Sequence, residues 1–596
     1  MSTVGTARYV VATAGHVDHG KSTLVKRLTG MEPDRWEEER RRGLTIDLGF
    51  VWASLPGAGA GGPLDVAFVD VPGHERFIAN MLAGVGPAPA VLFVVAADEG
   101  FKEQSRDHLD AIDAFGIDAG VVAMTRADNA GAARRAEVRA EIARETAGTV
   151  AADWPVVEVS AKTGEGIAEL TAALARVLRA AAAPDPAARV RFWVDRSFSV
   201  KGAGTVVTGT LTAGTIRVGD TLEVGGREVQ VRGLQSEDTP VEAAAPAMRV
   251  ALNLRGVDAG AVGRGDALVT PGAWRGSPLV DVSLTTAAPA TDLPREAVCH
   301  IGTAGVACAV RALGDGHARL TLESPLPLAI GDALVLRGSG EQHILAGARV
   351  VDPDPPAFTK RGDAARRAAE LPALPDVSAE IARRVAVEPA LLATLGYNVP
   401  DAPPRGAVAF AGYWIRADQV MAWKDALAAA VAEHEAANPL SPGLTVGAAA
   451  EKLALPDAKL LPLAAAAAKL QVRDGVVASG RAQDLGEGIT KLEAHLAADP
   501  FAAPEAADLA RWGVGPKELA AAERAGRVVR IADGVVLLPS ALDQAAALLA
   551  GLPAPFTASE ARKAWGTTRR VAIPLLEILD ARGVTRRVDG TARVLR

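Results

Sequence analysis

The chain has 596 residues, 49% of them apolar, and a net charge of −7; at ~150 residues per domain this is about four domains or more, each with material for a core. The acidic balance places any nucleic-acid surface in a local patch, and two cysteines, Cys299 and Cys308, exclude a disulfide framework and read as core thiols. No uncharged apolar run reaches the ~20 residues of a membrane helix and no charged-then-apolar leader opens the chain, so a soluble cytoplasmic protein with no membrane partner is expected.

Tyr9–Thr13 is short, apolar and partly β-branched and predicts a buried strand, while Thr23–Leu28 has helical spacing. Between them residues 15–22 read Gly-His-Val-Asp-His-Gly-Lys-Ser, the G-x-x-x-x-G-K-[ST] pattern. Gly15 and Gly20 let the backbone turn. The N–H groups of Gly15, His16, Val17, Asp18, His19 and Gly20 can then point at phosphate oxygens. Lys21 brings a point charge to the β/γ-phosphates, and the Ser22 hydroxyl suits Mg²⁺. A glycine turn with a chance lysine is the alternative; the motifs that follow argue against it.

Arg42-Gly-Leu-Thr-Ile-Asp47 comes next. Thr45 is a candidate second hydroxyl ligand for Mg²⁺, as a switch loop ordered on a γ-phosphate supplies; a charged loop running into a strand reads the same way. The apolar run Val66–Val69 leads into Asp70-Val-Pro-Gly-His74. Asp70 at a strand end can hold Mg²⁺ through water, and the Gly73 N–H can meet the γ-phosphate. Val121–Thr125 predicts a strand before Arg126-Ala-Asp128. A carboxylate at Asp128 accepts guanine N1–H and N2–H₂, which adenine does not offer. Thr125 supplies a hydroxyl, and the Arg126 plane can stack on the base. Ser160, Ala161 and Lys162 follow the strand Val156–Val159 and can approach guanine O6. Strands and helices alternate over residues 8–182, which predicts a parallel sheet with helices on both faces and an α/β P-loop domain at 1–185.

This order of motifs resembles the translational GTPases, elongation factor Tu and its relatives among them, where the loop also reads GHVDHGK. The resemblance implies GTP/GDP as the nucleotide and the ribosome as the partner that stimulates hydrolysis. It implies that His74 positions the attacking water and that Val17 belongs to an apolar gate beside it. A histidine suits that task near neutral pH. Thr125 and Arg126 depart from the family's Asn and Lys, so guanine selection rests on Asp128.

From about residue 186 the texture becomes short β-branched runs separated by Gly-Asp, Gly-Gly and Pro-Gly turns. That predicts two antiparallel β-barrels, at 186–275 and 276–355. The run Gly202–Thr210 is similar to the one that marks the second domain of translational GTPases. In that family this barrel and the GTPase domain clamp the aminoacyl end of a tRNA. Asp195-Arg196, with Arg232 further on, resembles the pattern of the selenocysteine-specific elongation factors. The resemblance implies an aminoacyl pocket in which arginine favours a selenolate over neutral serine or cysteine. A surface ion pair between Asp195 and Arg196, worth about 0–1 kcal/mol, is the competing reading.

After residue 356 the chain is helical and alanine-rich, with hairpin-like tails at 472–477, 528–537 and 584–595, each around an Asp-Gly turn. The repetition predicts an array of winged helices at 370–436, 437–484, 485–543 and 544–596. Residues 551–596 hold nine Lys/Arg against four acids, a local +5. Arg569 and Arg570 are expected to open a helix over Val571–Leu579, and Arg586 and Arg587 to lie in the wing, as a nucleic-acid contact requires. A solvated basic face is the plainer alternative. The closing segment looks like the last winged helix of bacterial selenocysteine-specific elongation factors. That likeness implies a monomeric factor delivering selenocysteinyl-tRNA to the ribosome at UGA codons, tethered to a selenoprotein messenger RNA hairpin. A general aminoacyl-tRNA carrier, or an elongation-factor-like GTPase recruited to metabolism, leaves the array unexplained. A nucleotide-sensing DNA-binding regulator leaves the barrels and Asp195–Arg196 unexplained.

Overall fold

The computed structural model describes residues 8–33, 45, 47–56, 62–202, 204–285, 289–338, 340, 343–371, 376–438, 440–441, 443–480 and 485–596. Of the Arg42–Asp47 motif, Thr45 and Asp47 fall among them; the other four residues lie outside. The chain forms two compact units, one of residues 1–380 with 389–399, the other of 381–388 with 400–596.

The first unit opens with β1 (Arg8–Ala14), α1 (Lys21–Thr29), β2 (Gly49–Leu55), β3 (Leu64–Asp70), α2 (Ile78–Val85), β4 (Ala90–Ala96), α3 (Glu103–Phe115), β5 (Gly120–Thr125), α4 (Ala132–Thr146), β6 (Val156–Glu158) and α5 (Ile167–Ala180). The sheet order is β2-β3-β1-β4-β5-β6, parallel except for β2. Strands β4 and β5 are buried at every position, as a parallel sheet covered on both faces demands. Alternate residues serve the two faces. Val10, Ala12 and Phe93 meet Met81, Leu109 and Ile142 of α2, α3 and α4. Val11, Leu92 and Val94 meet Leu24 and Leu174 of α1 and α5.

Two barrels follow. In the first, β7 (Arg191–Val200), β8 (Gly204–Leu211), β9 (Thr221–Val224), β10 (Arg227–Ser236), β11 (Met248–Arg255) and β12 (Ala267–Val269) pair in the order β9-β12-β7-β8-β11-β10, and β10 pairs back to β9. In the second, β13 (Gly276–Leu284), β14 (Glu296–Ile301), β15 (Ala304–Ala312), β16 (His317–Pro327), β17 (Ala333–Gly338) and β18 (Ile344–Asp352) close in the order β13-β16-β15-β14-β17-β18. Cys299 and Cys308 lie in this core with no disulfide, and burial pushes the Cys308 thiol up to about 11. The helix Asp363–Glu370 belongs to this barrel: Arg367 donates to Asp281 at 2.8 Å and to Asp352, while Arg319 donates to Asp281 at 2.6 Å. Leu371 packs on Leu313 and Val351. The expected domain start at 370 therefore falls inside a barrel attachment.

The second unit is built of short helices and small sheets. Three-stranded sheets order as 386–387, 413–416, 407–410; as 444–445, 476–478, 471–473; and as 556–557, 592–595, 585–587. A two-stranded hairpin joins 529–532 to 535–537. The expected cuts at 436/437 and 543/544 do not separate cores. The long helix Ala417–Ala437 puts Val420, Trp423, Leu427 and Val431 into one core with Leu460, Ala464 and Val477. Leu492, Leu519 and Leu537 share another core with Trp565, Leu575 and Leu579. A helix of six to nine residues buries too little alone, so two neighbouring repeats pool their apolar faces.

Candidate functional site

The nucleotide site begins where β1 turns into α1. Gly15 has φ +128, and a Cβ there would stand 2.2 Å from the Val94 carbonyl oxygen, so the turn admits glycine alone. Gly20 caps α1 at φ +85, which brings Lys21 and Ser22 into the helix two residues before the expected start at Thr23. Lys21 is buried and donates to Gly15 O at 3.0 Å and His16 O at 2.8 Å. Burial lowers its pKa to about 8 against the opposing pull of Asp70. A buried ammonium held by loop carbonyls is ready for polyphosphate.

Three hard oxygens converge beside it. Ser22 donates to Asp70 Oδ2 at 2.6 Å, and the Ser22 and Thr45 hydroxyls stand 3.1 Å apart. Thr13 donates to Asp70 Oδ1 at 2.7 Å and accepts Val71 N–H, locking the carboxylate's angle. A set of hydroxyl and carboxylate oxygens suits Mg²⁺ rather than a softer metal. Gly73 lies against the loop: a Cβ there would be 2.3 Å from Lys21 Nζ and 2.6 Å from Val17 N. His74, next in the chain, is half-buried, accepts Arg76 N–H on Nδ1 at 3.2 Å and lies beside Phe77.

The base-reading residues also meet. Asp128 is exposed, and a hydrogen bond from Ser160 holds its carboxyl below the usual range. Thr163 N–H binds Ser160 Oγ at 3.1 Å, fixing the loop that carries Ala161 and Lys162. Thr125 is buried and donates to His19 O at 2.6 Å, tying this strand to the phosphate loop. Arg126, at φ +53, donates to Glu99 at 2.7 Å and to Asp18 O. Its guanidinium is thus pinned to the loop, which replaces the expected free stacking plane.

Two residues of α3 are not among those expected from sequence. His108 accepts Gly15 N–H on Nδ1 at 3.0 Å, and Gln104 accepts Val17 N–H at 3.4 Å. Four residues apart, they hold the phosphate loop from one helical face. Burial, then Lys21 and His16, holds His108 well below 6.5, so it is neutral and able to accept.

A second concavity, of about 460 Å³, lies between the sheet edge and the first barrel. Phe50 and Trp52 of β2, Arg196 and Phe198 of β7, Gln235 of β10 and Arg249 of β11 line it. Asp195 and Arg196 do not pair with each other. Asp195 is buried, accepts Thr208 at 2.6 Å, and takes a two-pronged contact from Arg249, whose Nη2 lies at 2.9 Å. Arg249 also covers Phe50 at 3.5 Å. Arg232 is exposed and lines a different concavity with Ser199, Thr205 and Arg255, so the expected trio is not brought together. Arg249, and not Arg232, lines this concavity with Arg196. A polar residue alternating with Val250 and Leu252 was visible, but the register Arg249↔Thr210, which carries it over Asp195, was not.

At the far end of the chain the helix Arg569–Ala581 begins at the expected arginines. Arg569, Arg586 and Arg587 are exposed. Arg570 instead donates to Ala503 O at 3.0 Å, Pro504 O at 2.7 Å and Glu505 at 3.2 Å. It clips two repeats together, which corrects its assignment as a free phosphate contact. Among the described residues no helix is long and apolar enough to cross a membrane.

Four family models match the chain. They are the elongation factor Tu GTP binding domain over residues 7–180, elongation factor Tu domain 2 over 204–269, the selenocysteine-specific elongation factor beta-barrel domain over 279–357, and the elongation factor SelB winged helix over 547–595. The chain is 39% identical over 355 residues to a selenocysteine-specific elongation factor of Escherichia coli (strain K12), covering 59% of this chain and 56% of the relative. It is 36% identical over 358 residues to that of Desulfomicrobium baculatum, covering 58% and 56%. These matches therefore span little more than half of each relative's length. An elongation factor 1-alpha of Methanopyrus kandleri is 30% identical over 381 residues, with 55% of this chain and 88% of the relative covered. Among solved structures, a bacterial selenocysteine-specific elongation factor aligns with a TM-score of 0.81 at 26% identity, over 99% of this chain and 100% of that one.

Proposed function

The chain belongs to the elongation factor Tu-type GTPases and, within them, to the selenocysteine-specific elongation factors, and from that premise we propose that it is a GTP-hydrolysing factor delivering selenocysteinyl-tRNA to the ribosome at UGA codons. The observation that carries this is the joint presence of a complete phosphate loop with its Ser22–Thr45–Asp70 oxygens and an arginine-lined cavity against the first barrel. Lys21 and the loop N–H groups other than those of Gly15 and Val17, which donate to His108 and Gln104, bind the phosphates, Asp128 selects guanine, and Ser22 and Thr45 would hold Mg²⁺. Mg²⁺, when bound, neutralises charge on the β- and γ-phosphate oxygens. His74, one residue past the Gly73 contact with the loop, orients the attacking water. Arg196 and Arg249 give the cavity a positive wall that favours a selenolate over a neutral hydroxyl. The terminal winged helix presents Arg569, Arg586 and Arg587 to a messenger RNA hairpin, and the factor works as a monomer in the cytoplasm.

A reconstituted translation system with a UGA reporter tests this. The chain is expected to support selenocysteine insertion at a UGA codon followed by a hairpin, with GTP and with the cognate tRNA. His74→Ala should bind GTP nearly as well as the parent and slow ribosome-stimulated hydrolysis by orders of magnitude. Equal losses in binding and hydrolysis would make His74 structural.

A further inference from the structure

Asp47 lies between Thr45, at the Mg²⁺ oxygens, and Phe50, in the cavity wall, and its carboxylate crosses to the first barrel. Arg196 Nη2 donates to Asp47 Oδ2 at 2.8 Å and to Leu48 O at 2.6 Å. Arg264, in the turn before β12, reaches Asp47 Oδ1 at 3.5 Å and donates to Asn80 Oδ1 at 2.8 Å. Asn80 belongs to α2, the helix that follows the Asp70–His74 loop. Two arginines of one barrel thus hold both segments that flank the nucleotide.

The node is built to be reversible. The three charged side chains are between 25% and 32% exposed, a range where single ion pairs are worth about 0–1 kcal/mol. Thr45 and Asp47 are two residues apart, a span of at most about 7 Å. Asp47 therefore cannot keep its place if Thr45 moves far. Phe50 lies under both Arg249, at 3.5 Å, and Arg196, at 5.2 Å, so a shift of this segment also moves the cavity wall.

We propose that Asp47 is a positioning residue that couples the bound nucleotide to the aminoacyl cavity. With Thr45 engaged at the GTP-bound metal, Asp47 orients Arg196 at the cavity edge and draws Arg264 against Asn80. With Thr45 released, Arg196 loses that orientation and the anionic aminoacyl side chain loses its partner. This rests on the selenocysteinyl-tRNA reading above. By linkage the same node raises GTP affinity when the charged tRNA is bound, by the same factor.

The test uses the full chain and measures the affinity for selenocysteinyl-tRNA with a non-hydrolysable GTP analogue and with GDP. Asp47→Asn keeps the shape and removes the charge; Arg264→Ala removes a partner outside both the nucleotide site and the cavity. In each variant the ratio of the two affinities is expected to fall about fivefold, the effect of losing one or two such pairs, through loss of the GTP-state affinity. Without tRNA, Arg264→Ala should bind GDP as the parent does and the GTP analogue a few-fold more weakly, because its contacts to Asp47 and Asn80 are made in the GTP-bound state. Parental ratios in both variants would overturn the coupling and leave the functional reading intact. A parent chain that fails to bind selenocysteinyl-tRNA in either state would overturn that reading, and this proposal with it.

Discussion

Asp128 stands exposed with one carboxylate oxygen steered by Ser160, and its task is to accept two guanine donors. Asp128→Asn should turn the preference from GTP towards XTP, because the amide donates to O2 where the carboxylate accepted from N2. Competition binding checks this, and an unchanged preference for GTP would remove Asp128 from the role. The histidines around the loop make a pH prediction. Burial lowers His19 to about 3, with His16 and Lys21 adding to it, and His108 also lies well below 6.5. The unfolded chain binds these protons first, so the stability they guard is full above about pH 6.5 and is lost as pH falls towards the folded values. Each histidine adds about 1.4 kcal/mol per pH unit to that loss. Hydrogen exchange of β4 amides should show His108→Gln flattening the slope between pH 6 and pH 5 by about that amount; an unchanged slope would mean His108 is charged in the fold. Gly15, Lys21, Ser22 and Asp70 were legible because their chemistry is local to a loop. His108 and Gln104 were not, because they reach the loop from a helix some ninety residues on, with spacing that also reads as an ordinary amphipathic face.

At the scale of elements, the last helix and its wing carry the basic surface, and the structure divides their arginines by task. Arg569, Arg586 and Arg587 are open to solvent, whereas Arg570 fastens the helix to Ala503, Pro504 and Glu505. Replacing Arg586 and Arg587 by Gln should lower the salt slope of hairpin RNA binding by about one unit for each phosphate no longer neutralised, with the unfolding midpoint unchanged. Arg570→Ala should show the reverse: a lower unfolding midpoint for the second unit, with the salt slope close to the parent's. A parental midpoint in Arg570→Ala would contradict the division. The hairpins here were readable from their Asp-Gly turns and the last helix from the arginines that open it, while the reciprocal cap of Thr557 and Glu560 came only with the structure. The grouping of repeats was not, since Phe501 and Trp565 give no sign in sequence that they stack at 6.0 Å.

For the whole molecule, the order of a P-loop domain, two barrels and a winged-helix array was readable from the change of period and the turn chemistry. What period does not encode is which faces meet. The cavity needed Phe50 of the sheet edge and Arg249 of β11 to come together, and their positions are fixed by strand register and by the seating of barrel on sheet. Arg232, chosen from its neighbours in the chain, sits at the bulge of β10 and opens to another concavity. In the proposed function this cavity reads an anionic aminoacyl group in the presence of GTP. The direct measurement compares the affinity of the full chain, with a non-hydrolysable GTP analogue, for selenocysteinyl-tRNA and for seryl-tRNA on the same tRNA body. Selenocysteinyl-tRNA should bind at least tenfold more tightly, and Arg196→Ala should erase most of that difference while changing seryl-tRNA binding little. Equal affinities for the two charged forms in the parent chain would contradict that role for the cavity.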